Sequence, residues 1–216
     1  LDQGGHLTHG SPANFLYKVY KFEAYGVNPE TEEIDYDALE EKAKQVKPKL
    51  IIAGGSSYPR LIDYARIGQI AKEVGAYFMV DMAHVSGLVA AGVIPSPVPY
   101  ADFVTSSTTK TFCGPRGGMI LCKAEHAKKI DKGVFPGSLG SMHLTTMAAK
   151  AWCFKHMATP EFKALMQQIV DNAKLLAEEL SQYGFRIVSG TTDNHLIMVD
   201  LRPKNISGKL FQNALD

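Results

Sequence analysis

Val-Thr-Ser-Ser-Thr-Thr-Lys-Thr-Phe-Cys-Gly-Pro-Arg-Gly-Gly, residues 104–118, carries the end of an apolar segment into a hydroxyl-rich turn that holds one lysine. Phe103, Val104 and Thr105 have the composition of a buried strand. Gly114, Pro115 and the pair Gly117-Gly118 close the turn that follows. Lys110 is thereby set just beyond the carboxyl end of a strand. A lysine in a loop is ordinarily a solvated cation. The flanks here are Ser106, Ser107, Thr108 and Thr109 on one side and Phe112 and Cys113 on the other, surroundings that can strip water from an ammonium and favour a nucleophilic amine. Taken alone, the turn fits either reading.

The segment before it narrows the choice. Tyr77-Phe78-Met79-Val80-Asp81 is an apolar run with an acid at its end, followed by Met82-Ala83-His84. A carboxylate that closes a buried strand lies at the carboxyl edge of an α/β sheet, the edge at which such folds place ligands. If the two strands are neighbours, Asp81 and Lys110 face one crevice. An aldehyde cofactor with a pyridine ring needs this pair: an amine to hold it as a Schiff base and an anion to keep the ring nitrogen protonated. The alternative for Asp81 is a helix N-cap for a segment starting near Met82.

Leu50-Ile51-Ile52-Ala53 is a third apolar run, of the kind found in parallel strands buried on both faces. Gly54-Gly55-Ser56-Ser57 follows it directly, with Ser56 and Ser57 readable as caps of the next helix or as ligand contacts. An amphipathic helix over 62–74, ended by Gly75, returns the chain to the Asp81 strand. Strand alternating with helix from 50 to 105 argues for right-handed crossovers and an α/β fold with a mainly parallel sheet flanked by helices. Three successive carboxyl ends then carry Ser56, Asp81 with His84, and Lys110.

Elsewhere, residues 17–25 have strand composition. Asp35 or Asp37 caps a helix to Val46 with Ala38, Leu39, Ala43 and Val46 as its apolar stripe. Residues 119–122 are expected as a strand and 125–132 as a helix, and the amides of the 137–141 loop suit an anion. Helices are expected over 143–156 and 160–183, then strands over 185–189 and 196–201 in a smaller unit. The expected division is a large domain over 1–158 and the start of a small α+β domain over 159–216.

Composition bounds the partners. The 216 residues are 45% hydrophobic and 21% charged with a net charge of +1, and no Lys/Arg cluster forms a nucleic-acid footprint. Cys113, Cys122 and Cys153 show no paired spacing, which favours free thiols in a reducing compartment. No apolar run is long enough for a membrane helix and no signal peptide is evident, so a cytoplasmic location is expected. His6 and His9 have no third ligand at metal spacing, so no metal is expected. The chain starts at Leu1 and stops at Asp216 inside a helical pattern, and an internal piece of a longer protein is expected.

The strings at residues 4–12, 80–92, 109–118 and 192–196 (Gly-Gly-His-Leu-Thr-His-Gly-Ser-Pro, Val-Asp-Met-Ala-His-Val-Ser-Gly-Leu-Val-Ala-Ala-Gly, Thr-Lys-Thr-Phe-Cys-Gly-Pro-Arg-Gly-Gly and Thr-Asp-Asn-His-Leu) resemble serine hydroxymethyltransferase, a pyridoxal-phosphate enzyme of the aspartate aminotransferase-like fold. The likeness runs over essentially the whole chain. It implies interconversion of serine and glycine with transfer of the one-carbon unit to tetrahydrofolate. It implies pyridoxal 5'-phosphate as a Schiff base on Lys110, Asp81 at the ring nitrogen, His84 and Ser56 near the phenolic oxygen, His6 stacked on the ring and Arg116 supporting the lysine turn. Leu1, Gly5, His6 and Leu7 match folate contacts, and Gly140 matches a loop that reaches the cofactor phosphate of a neighbouring subunit in a homodimer or higher homo-oligomer.

Two departures stand out. Thr109 occupies the place where the family ordinarily has histidine, which implies looser control of side reactions, and Gly140-Ser141-Met142-His143 lacks the family's second glycine and Pro-Leu pair. The family's phosphate-gripping Ser-Gly segment, its carboxylate-binding arginine and the acid near the substrate hydroxyl match nothing in these residues, so an incomplete active site is expected. The competing readings are another lysine-dependent enzyme of this fold, an aldolase or aminotransferase, and a non-catalytic truncated paralogue.

Overall fold

A four-stranded sheet in the order β1-β2-β3-β4 holds the chain together in the computed structural model, which describes residues 3–216. The strands are β1 (Leu50–Ala53), β2 (Tyr77–Asp81), β3 (Phe103–Ser107) and β4 (Gly118–Cys122). The first three run parallel, with Ala53 beside Val80 and Asp81 beside Thr105, and β4 returns antiparallel along β3. Consecutive strands are therefore neighbours, and the carboxyl ends of the three parallel strands lie along one edge.

Helices supply the covering layers. Helix α1 (Tyr36–Val46) is capped by Asp35, which accepts from the Ala38 amide, and it buries Leu39 and Ala43. Its apolar stripe is narrower than the sequence suggests, since Ala38 and Val46 are exposed. Helix α2 (Tyr64–Val74) starts two residues later than expected because Asp63 caps it, and it ends on Gly75 in the left-handed conformation at φ 71°. Its Ile67 and Ile70 pack into one core with Phe78 and Val80 of β2. Burying each such side chain contributes about 1.5–3 kcal/mol. Helix α3 (Ser86–Ala90) follows β2, and α4 (Ala127–Val134) follows β4.

Helices α5 (Leu144–Met157) and α6 (Pro160–Gln182) come next, α6 opened by the Thr159 cap and by proline in its first turn. Phe162, Met166 and Val170 of α6 join the main core, so α6 is packed on the sheet unit. A two-stranded antiparallel ribbon, β5 (Arg186–Ile187) with β6 (Val199–Asp200), and α7 (Gly208–Leu215) complete the chain. The ribbon is shorter than the predicted strands, though the Val188 amide still donates to Met198 O at 2.9 Å.

Residues 17–25 are not a strand. Phe15–Lys18 is a 3-10 turn capped by Asn14, and Val27 makes only an isolated bridge to Ile34. Strand composition needs a neighbouring strand to pair with, and side chains tether this segment instead: Tyr25 donates to Ile52 O at 3.0 Å and Lys42 to Ala24 O at 2.6 Å. Strand β3 is longer than expected. Its pairing with β4 runs through Ser107 and Gly118, so Ser106 and Ser107 belong to the strand and the lysine turn begins at Thr108.

Candidate active site

The loops at the carboxyl ends of the three parallel strands open onto one cleft of about 260 Å³, lined by His6, Ser56, Asp81, His84 and Lys110 among others. Each comes from the carboxyl end of a parallel strand except His6, which arrives on the N-terminal loop. That loop is pinned to the Ser56 loop by the Ser56 amide, which donates to Gly4 O at 2.7 Å. Gly54 makes the crowding possible. At φ +140° it passes so close to β2 that a Cβ would lie 2.2 Å from Asp81 O.

Asp81 is held from two sides. Its Oδ2 accepts from His9 Nε2 at 2.9 Å and its Oδ1 accepts from the Ala83 amide at 3.1 Å. Burial alone would push this carboxyl up; the bonds from His9 and Ala83 and the charges of His9 and His6 outweigh it, and the group stays below the ordinary carboxylate value. Asp81 does not cap a helix: α3 begins only at Ser86, with Val85 in the cap position.

His84 is pushed below the ordinary histidine value by burial first, then by Lys110 and His6, with Asp81 opposing. Behind it stands His195, its ring 6.1 Å away and inclined by 17°. His195 is itself held down to about 4 by burial and by His84. The loop carrying His84 is fastened to the lysine turn through Thr111, whose Oγ1 donates to His84 O at 2.8 Å and accepts from the Gly87 amide at 3.0 Å. Gly87 leaves no room for a side chain there, since a Cβ would lie 2.1 Å from Thr111 O.

The lysine turn is closed by Thr108, which is fully buried. Its amide donates to Gly117 O at 2.9 Å, its carbonyl accepts from the Gly114 amide at 2.8 Å, and its hydroxyl donates to Pro115 O at 2.6 Å. Lys110 is exposed at the cleft mouth, contrary to the desolvated setting its neighbours suggest. The reason is local: Phe112 turns down into the core at 3% exposure and Cys113 faces solvent, so neither covers the amine.

The other expected positions divide. Thr109 does not line the cleft; its hydroxyl pairs with Ser107 Oγ at 2.7 Å. Arg116 is exposed, and Gly140 is exposed in the stretch between α4 and α5, away from the cleft. Gly5 and Leu7 are exposed beside His6, and Leu1 lies outside the described residues. Sequence reasoning gave no role to His9, Thr111, Ser107 or His195. Ser107 was recoverable from strand periodicity, since Phe103, Thr105 and Ser107 share the less buried face of β3.

The cleft thus offers an anionic carboxylate on its floor, a lysine at its mouth, an imidazole on its wall, and Ser56 Oγ, buried without a hydrogen-bond partner among the described residues. A buried hydroxyl left unpaired by protein is a waiting contact for a polar ligand atom. These groups fit the ring of a pyridine aldehyde: amine for the aldehyde, anion for the ring nitrogen, hydroxyl for a ring substituent. A family model described as serine hydroxymethyltransferase matches residues 1–216.

Proposed function

Since the chain belongs to the serine hydroxymethyltransferase family, we propose that this cleft is its catalytic centre and that Lys110 holds pyridoxal 5'-phosphate through Nζ. The family comprises pyridoxal-phosphate-dependent one-carbon transferases that interconvert serine and glycine with tetrahydrofolate. The observation that carries the assignment of the centre is the meeting of Lys110, Asp81 and His84 in one cleft. When bound, the cofactor supplies an electron-accepting ring for the pair left on the substrate carbon as a bond to that carbon breaks.

The chain's own groups do the rest. Asp81, kept anionic by His9 and the Ala83 amide, holds a proton on the facing ring nitrogen. His84, kept neutral near pH 7, offers one hydrogen bond to an oxygen on the ring. Ser56 Oγ satisfies its open hydrogen bond on the same side. His6 covers a ring face, and its exposed neighbours Gly5 and Leu7 form the approach for the flat folate. Arg116 and Gly140 serve outside the cleft, Arg116 on the lysine turn and Gly140 toward a second subunit.

Exposed apolar side chains support a homo-oligomer: Phe15, Val19 and Tyr20 near the N-terminal loop, and Leu139, Leu144 and Trp152 on and before α5, all expose more than half their surface. Three free cysteines support a reducing compartment such as the cytoplasm. The second unit proposed to start at 159 has α6 as its link to the first, since α6 packs into the main core. The test is borohydride reduction of protein loaded with pyridoxal phosphate, followed by peptide mapping. A reduced adduct on Lys110, absent in Lys110→Arg, is expected; an adduct on another lysine overturns the assignment.

A further inference from the structure

Residues 192–195, between β5 and β6, are built into the floor of the sheet unit. Thr192 and Asn194 are 0% and 2% exposed. The Asp193 amide donates to Pro59 O at 2.8 Å, Thr192 Oγ1 to the same oxygen at 3.1 Å, and Asn194 Nδ2 to Tyr58 O at 3.0 Å. Asp193 Oδ2 accepts from Arg60 Nε at 2.7 Å and from the Leu61 amide at 3.2 Å. Every one of these bonds goes to residues 58–61, the segment that leaves the Ser56 loop. The backbone carrying His195 is therefore fixed to the same frame as the cleft, and its ring is delivered against His84 nearly parallel to it.

His84 lines the cleft and His195 does not. His195 is half-buried, and its Nδ1 is buried without a hydrogen-bond partner among the described residues, so no group among them competes with the ring contact to His84 for its orientation. We infer that His195 is the positioning residue of His84: a flat, anchored ring that fixes the plane of the His84 imidazole and shuts water out behind it, so that the nitrogen His84 presents to the cleft meets a bound ligand oxygen at a set angle. Offset stacking of two flat rings at this separation confers orientation as well as burial. The charged and titratable groups facing His84 are Lys110, His6 and Asp81, with His195 behind. Burial disfavours a proton on His84 first, Lys110 and His6 oppose one as well, and Asp81 favours one without outweighing them.

The role of His84 toward a ligand rests on the proposed function; the stacking claim does not. The two are separated by reading the proton on His84 in cofactor-free protein and the binding of pyridoxal phosphate as separate arms. With histidine labelled for NMR, His84 is expected to titrate below the ordinary histidine value in the wild type. In His195→Ala it moves toward about 6.5 as water enters, while His195→Phe, which keeps a flat dry wall, leaves it in place. The affinity for pyridoxal phosphate falls about tenfold in His195→Ala and stays within about twofold in His195→Phe. His195→Gln, which keeps bulk but admits water, carries the same expectation as alanine should the alanine protein not fold. An unmoved His84 titration in His195→Ala or His195→Gln overturns the inference, as does a titration equally displaced in His195→Phe. A normal His84 response with no uptake of pyridoxal phosphate in any variant instead overturns the reading of the cleft.

Discussion

Replacing His9 by phenylalanine tests the electrostatics of the site at one bond. The ring volume stays and the N–H that donates to Asp81 Oδ2 at 2.9 Å goes. A hydrogen bond to a charged group contributes about 1.5–3 kcal/mol, and each pKa unit corresponds to about 1.4 kcal/mol. The Asp81 side chain keeps 22% exposure, so water recovers part of the loss and the low end applies, a rise of about one unit in the Asp81 value.

The folded value of Asp81 lies below the unfolded one, so it adds stability that is fully present above the unfolded carboxylate value of about 3.9 and is lost as pH falls through the lower folded value. His9→Phe therefore costs about 1–2 kcal/mol at pH 7, and the difference from the wild type fades toward zero as the pH falls through the lowered folded value. Carbon-13 NMR of the labelled carboxyl gives the titration, and urea melts across pH give the stability difference. His9→Gln, which restores an N–H donor, recovers part of both. An Asp81 titration that does not move in His9→Phe refutes the claim that this contact keeps the carboxylate anionic.

Gly54→Ala forces a Cβ to within 2.2 Å of Asp81 O at a φ that side chains rarely adopt, and it is expected to cost about 3 kcal/mol, a fall of roughly 6–12 °C in Tm for a chain of this size. A fall under about 2 °C counts against the close approach. Arg60 joins Glu33 at 2.6 Å to Asp193 at 2.7 Å, with side-chain exposures of 21%, 43% and 25%, so Arg60→Ala and Asp193→Ala each lower stability by about 1–2 kcal/mol in denaturant melts and the double variant loses less than the sum. Strict additivity removes the brace. Thr109→His restores the residue that the family ordinarily has before its lysine and breaks the Ser107 to Thr109 hydroxyl pair. It is expected to lower turnover of D-alanine relative to the natural chain, and equal rates speak against looser reaction control by threonine.

The sequence made the sheet edge readable because three apolar runs each lead into polar residues at the same edge: Ala53 into the Ser56 loop, Val80 into Asp81, and Val104 into the hydroxyl residues that precede the lysine turn. Local pattern sufficed there, as it did for the cap at Asp35, one of the two acids expected in that role, whereas the caps at Asp63 and Thr159 emerge only in the fold. What stayed hidden is non-local. His9 meets Asp81 across 72 positions of chain, and nothing near either residue announces the partner. His195 reaches His84 only because residues 192–194 bond to 58–61. The misjudged solvation of Lys110 has the same origin, since composition says Phe112 is apolar but only the packing against Phe154, ring centroids 5.8 Å apart, says that it points away from the amine. The strand composition of 17–25 went unrealised for want of a strand to pair with.

The charge pattern of the cleft then follows from which groups the fold shields and which it leaves wet. Asp81 is anionic because two donors outweigh its burial, whereas His84 is driven toward neutrality by the same burial plus the cation at the mouth. Both outcomes depend on closeness that two glycines permit, Gly54 against Asp81 O and Gly87 against Thr111 O. Gly87 also ties the two loops mechanically, because its amide and His84 O share the Thr111 hydroxyl. A side chain at either glycine separates loops whose charges are read against each other, so damage at Gly87 should appear in the His84 titration as well as in Tm. Gly87→Ala, measured by histidine NMR in the cofactor-free protein, is expected to raise His84 toward the ordinary value as its burial loosens and Lys110 recedes. A lowered Tm with an unmoved His84 would show that packing and charge in this cleft are set independently.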